Sequence, residues 1–182
     1  MKVPVGSQSM RPPTQSTWRQ LIRLFLAFKG ERSDNDAIGD YQCTKWGSID
    51  GLTCLPELSS LAANGFQVER DRITFRESRT SYLQEMVMRN KPRFVVMYGG
   101  GRALQPFWNF IASGSYEPNP YTMENIAGCE VGFHFEERTS FVRAMHPVKA
   151  GGAAPPDDYW LGIAAKLASS SFNRVRLTEL GS

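Results

Sequence analysis

Residues 92 to 102 read PRFVVMYGGGR, and this stretch constrains the fold more than any other. Phe94 to Tyr98 are apolar without alternation, the pattern of a strand covered on both faces. Three glycines then mark a tight turn, and Leu104, Phe107, Trp108 and Ile111 follow at helical spacing. A doubly covered strand running through a turn into a helix belongs to the α/β class. The expected architecture is a three-layer sandwich around a central, mainly parallel four-stranded sheet.

The remaining pattern fits that class. MKVPV is expected to form a very short first strand, leading into the loop GSQSMRPPTQS. Trp18, Leu21, Ile22, Phe25 and Phe28 predict a helix that Gly30 stops. YQCTKWG predicts a short helix ending at Gly47, and TCLPELS, residues 53 to 59, a second strand weakened by Pro56. Tyr82, Leu83, Met86 and Val87 lay an apolar stripe along a helix over 75 to 90. EVGFHFEERTSFVRAMHP alternates as two strands about a tight EER turn. Asp157 is expected to cap a last helix carrying Trp160, Leu161, Ala164 and Leu167. With no repeat and no long linker, residues 1 to 182 are expected to form one domain.

Composition narrows the function classes. A net charge of +3 permits contact with a polyanion without demanding it. The three cysteines, Cys43, Cys54 and Cys129, are far apart and form no CxxC pair, so neither a structural metal site nor a disulfide framework is expected. Reduced thiols suit a cytoplasmic protein. The most apolar run, LIRLFLAF, is short and carries Arg23, so no membrane span is expected. Met1 to Met10 lacks the apolar core of a signal peptide.

In open α/β sheets, ligands bind beyond the carboxyl ends of the strands. The notable loops fall there: GSQS, LSSLAANG, YGGGR, and HPVKAGG after the last strand. YGGGR matches no phosphate-binding fingerprint, so a tight βα turn competes with a phosphate contact through Arg102. Of the two histidines, His134 alternates with Phe133 and Phe135 and is expected to face solvent. His146 ends a strand, is stiffened by Pro147 and precedes a glycine-rich stretch, which suits either a capped strand end or a ligand-facing group. Trp18 fits a helical core stripe, yet it follows the first loop and would also suit stacking on a planar ligand.

Taken in order, these elements resemble the uracil-DNA glycosylase superfamily over most of the chain. His146-Pro147 ahead of Val148, Lys149 and the glycines resembles the motif after the superfamily's last strand. PRFVVMYGGGR resembles its penultimate strand and TCLPELSSLA the strand before. The resemblance implies an enzyme that flips a base from DNA and hydrolyses the N-glycosidic bond of uracil or another deaminated base. His146 would stabilise the departing base anion and Gln8 would position water. Trp18 would stack on the base, Glu57 or Asn64 would read it, and Arg102 and Lys149 would contact DNA. No cofactor or metal is implied, and a monomer is expected. The first motif departs from the pattern, because Gln8 stands where Asp or Asn is usual and the following proline is absent. An amide hydrogen-bonds water but cannot act as a base. Two readings of that departure stay open, a member with altered specificity or lost activity, and a start that cuts into the first strand. A silent relative binding nucleic acid, a nucleotide or a protein is the alternative function.

Overall fold

A computed structural model describes residues 15–49, 51–54, 56, 69–99, 101–148 and 153–180. In chain order the elements are α1 (Ser16–Phe28), α2 (Asn35–Thr44), α3 (Glu69–Asn90), β1 (Phe94–Tyr98), α4 (Gly101–Ser113), β2 (Thr122–Ile126), β3 (Cys129–Phe135), β4 (Ser140–Ala144) and α5 (Asp157–Leu180). The expected strand at MKVPV lies outside the described residues. Thr53, Cys54 and Pro56 form no strand, and the rest of that expected strand also lies outside them.

The protein is α/β, but its sheet departs from the mainly parallel arrangement expected. The strand order is β1-β4-β3-β2. Only β1 and β4 run parallel, with Phe94 opposite Ser140 and Tyr98 opposite Ala144. The β2–β3 and β3–β4 pairs are antiparallel. Loop length dictates this, because short loops join only antiparallel neighbours, whereas a parallel pair needs a crossover. Ala127 and Gly128, both at positive φ, make a two-residue hairpin between β2 and β3. The β3–β4 loop closes with the Glu136 N–H donating to the Thr139 carbonyl at 3.0 Å. The chain between β1 and β4 is therefore a helix plus a complete hairpin, and β4 inserts between β1 and β3.

Apolar clusters lie on both faces of the sheet, as the unalternating FVVMY run requires. Phe94, Val96 and Tyr98 of β1, with Val142 and Ala144 of β4, join Leu21 and Leu24 of α1 and Tyr159, Trp160, Ile163 and Leu167 of α5. Val95 and Met97 face the other way with Phe141, against Leu83 and Val87 of α3 and Trp108 and Ile111 of α4. A third cluster joins Ile22, Phe25 and Leu26 of α1 to Ile38 and Tyr41 of α2. Helix α1 thus lies between two cores, which explains the unbroken burial from Leu21 to Leu26.

Several local expectations need correction. Helix α2 starts well before Tyr41, because the Asp34 carboxylate accepts from the Ala37 N–H at 3.1 Å and caps it. That bond, with help from Arg32, holds the Asp34 carboxyl below its usual range. Leu161 and Tyr82 are exposed rather than core-facing, and Tyr159 and Ile163 fill the α5 side instead. Asp157 is the first residue of α5, and its carboxylate serves α1. It accepts from Arg23 Nη1 at 2.6 Å and from Gln20 Nε2 at 3.1 Å.

Arg23 is the one charged residue in that buried α1 run, with its side chain 6% exposed against 54% for Asp157. Desolvation weakens its hold on the proton, and the Asp157 charge opposes that effect. Replacing Asp157 by Ala strands a buried cation, whereas Arg23→Met removes the need for a partner. We expect Asp157→Ala to cost about 1–2 kcal/mol, scaled down because the carboxylate is half in water, and Arg23→Met to be near neutral. Urea unfolding of both variants checks the asymmetry; equal losses would refute it.

Candidate functional site

The parallel pairing of β1 with β4 sets their carboxyl ends side by side, and that places Gly99 against His146. Gly99 has φ +80°, and a Cβ built there would lie 2.9 Å from His146 Cδ2. Glycine is thus required at this position twice, for the backbone angle and for the ring that covers it. The His146 ring meets Tyr98 edge-on, with centroids 5.6 Å apart. Pro147, the next residue, is buried.

The imidazole is anchored by its own loop. Its Nδ1 lies 2.7 Å from the Val148 carbonyl oxygen and 3.1 Å from the Val148 amide nitrogen. A carbonyl oxygen at the shorter distance calls for a hydrogen on the ring nitrogen, so Nδ1–H donates to Val148. Nε2 makes no hydrogen bond among the described residues. In the neutral ring, Nε2 therefore presents a lone pair at the carboxyl edge of the sheet. Only the charged ring has an N–H to donate there.

Tyr159 fixes the strand end that carries this histidine. Its hydroxyl accepts from the Met145 N–H at 3.0 Å and donates to the Glu130 carbonyl at 3.1 Å. The side chain is fully buried, and burial pushes its phenol up to about 12. It thus remains a neutral clasp between β3 and β4. Sequence periodicity offers no hint of this role, since it shows which residues are inside but not where a hydroxyl points.

The other expected site residues divide three ways. Arg102 is exposed in the first turn of α4, three residues after Gly99, so Arg102 and His146 follow neighbouring strand ends. Trp18 packs with the α1–α2 cluster. Tyr98, a residue not singled out in advance, supplies the ring against His146. Gln8, Glu57, Asn64 and Lys149 lie outside the described residues.

His134 does face opposite to Phe133, but it is half-covered rather than solvent-facing. Its Nε2 lies 2.8 Å from Glu136 Oε1, and Phe141 and Tyr121 flank the ring at 6.0 and 6.3 Å. A surface depression among the described residues is lined by residues 47–49 and 51–54 and involves none of the groups around His146. No cluster of three or more His, Cys, Asp or Glu side chains suited to a metal occurs among the described residues. No helix among them is long and apolar enough to cross a membrane.

No family model matches this chain, and no curated protein or solved structure matches it significantly.

Gly99→Ala tests whether the two strand ends depend on each other. A methyl group there meets the ring and an unfavourable φ together, so we expect a loss of about 1–2 kcal/mol in urea unfolding. We also expect displaced His146 ring resonances with His134 unmoved. Unchanged His146 resonances would show that the ring does not cover Gly99.

Proposed function

We propose that the chain is a divergent uracil-DNA-glycosylase-like protein that hydrolyses the N-glycosidic bond of uracil or another deaminated base. The observation that supports this most is the anchored imidazole of His146, held by Val148 and packed on Gly99 at the carboxyl end of a parallel strand pair. In such a reaction water adds to the anomeric carbon as the carbon–nitrogen bond breaks, the bonding electrons leave with the base, and the proton that water loses ends on that base. A positive donor at Nε2 would stabilise that anion, which is oxyanion-type electrostatic catalysis. Because Nδ1–H is committed to Val148, the charged form of His146 is the donor in this reading. Gln8 would orient the water and Glu57 or Asn64 would read the base. Arg102 and Lys149 would hold the DNA backbone.

Two observations favour a second reading, in which the same edge binds nucleic acid without cleaving it. Trp18, the aromatic expected to stack on the base, packs with α2 instead. The neutral His146 ring also has no Nε2 proton to give.

Release of free base from labelled single- and double-stranded DNA bearing uracil, hypoxanthine or xanthine separates the two. For the first reading, His146→Ala should lower release by about 10²–10³-fold. Release that survives the substitution would remove His146 from the chemistry. DNA binding without release from any substrate would leave the second reading.

A further inference from the structure

Two arginines carry their guanidinium into the described core, and they are treated very differently. Arg23 is answered by Asp157 and Gln20. Arg143, on β4, has a buried Nη1 with no hydrogen-bond partner. Its Nη2 reaches only the thioether sulfur of Met123, at 3.2 Å. Its Cζ stands 5.6 Å from the centre of the Tyr121 ring. The Tyr121 hydroxyl is engaged elsewhere, donating to the Trp108 carbonyl at 2.9 Å. Among the described residues no carboxylate pairs with Arg143. Glu130 lies two residues from Gly132, the β3 partner of Arg143, and so on the same face; it is exposed and forms no ion pair with it.

A buried guanidinium nitrogen without an acceptor is unfavourable, and sulfur is a poor acceptor. The surroundings suit a ligand better than a fixed partner. Met123 lies on β2, the edge strand, and a methionine swings aside readily about its three side-chain bonds. Gly132 lies beside Arg143 in register, and a Cβ there would fall 3.0 Å from both Met123 Sδ and Tyr121 Cβ. Met123 and Tyr121 thus fill the space over Gly132, and room beside the guanidinium opens only as Met123 moves. Arg143 is itself only partly buried, which leaves a route from solvent.

We infer that Arg143 anchors a binding site for a small oxyanion, a phosphate or a carboxylate, that enters past Met123 and takes the place of its sulfur. The guanidinium fork offers two parallel N–H groups to two oxygens, the geometry in which arginine binds such anions most firmly. The site lies on the α3–α4 face of the sheet and does not depend on the chemistry of His146.

Thermal unfolding of the whole chain tests this, with sodium phosphate and sodium acetate each compared against sodium chloride at matched ionic strength. At about ten times its dissociation constant, the preferred anion should raise the native Tm by about 3–6 °C. The anion that acts identifies the chemistry, phosphate or carboxylate. Arg143→Met should abolish the rise while melting at or above the native protein in chloride, because it removes an unpaired charge. Arg143→Lys keeps the charge but loses the fork, and should show less than half the native shift. The proposal is overturned if neither anion raises the native Tm, or if Arg143→Met or Arg143→Lys keeps the full shift. A clear drop in Tm for Arg143→Met in chloride would also overturn it, making the guanidinium a structural partner of Tyr121.

Discussion

Everything at the carboxyl edge of the β1–β4 pair depends on β4 inserting between β1 and β3. The parallel bond to β1 is the demanding half of that arrangement, because no short loop can make it. The chain must first lay down α4 and then a whole hairpin before β4 finds its place. Once the register from Phe94–Ser140 to Tyr98–Ala144 is fixed, the following residues of both strands emerge together. Gly99 and His146 then meet without any further device, and the first turn of α4 starts from the same edge. A slip of one residue would turn Val142 and Ala144 out of one core and Phe141 out of the other.

Polar groups in the interior refine that frame. Tyr159 spans the last residues of β4 and the β3 backbone, so the strand end before His146 is fastened from beneath by a neutral hydroxyl. Arg23 and Asp157 join α1 to the start of α5, on the side of the sheet where His146 meets Tyr98. The opposite face carries Arg143, with a ring and a sulfur for company. The two arginines differ in their partners, since Arg23 has Asp157 and Gln20 while the buried Nη1 of Arg143 has no hydrogen-bond partner. Arg23 is balanced by Asp157, whereas no carboxylate among the described residues pairs with Arg143.

The sequence announced some of this clearly. FVVMY marked β1 to the residue, because an apolar run without alternation has one comfortable place in a soluble α/β protein. The α1 stripe and its stop at Gly30 were equally legible, with the Gly30 N–H closing on Ala27 and the Glu31 N–H on Leu26. Strand β2 was not, since TMENI is polar and lies at the sheet edge, where one-sided burial leaves little periodic signal. Its turn, Ala127-Gly128, places an alanine at φ 50°, so the usual Asn-Gly or Asp-Gly marker is missing. Without a signal for this hairpin, strands alternating with helices read as a mainly parallel sheet. The strand-ending position of His146 was readable from HP and the glycines. The commitment of its Nδ1 to Val148 was not, because that depends on the path of the loop. Arg143 was invisible for a similar reason: alternation assigns it a face but says nothing of what waits there.

The central claim is that parallel pairing of β1 and β4 presents His146, ring over Gly99, with Nδ1 tied to Val148 and Nε2 without a hydrogen-bond partner among the described residues. Nuclear magnetic resonance of uniformly labelled protein tests it most directly, using imidazole nitrogen correlations and proton cross-relaxation. The account predicts cross-relaxation between the Gly99 α-protons and His146 Hδ2, and a neutral ring whose proton resides on Nδ1. Absence of that contact, or a neutral ring protonated on Nε2, would contradict it.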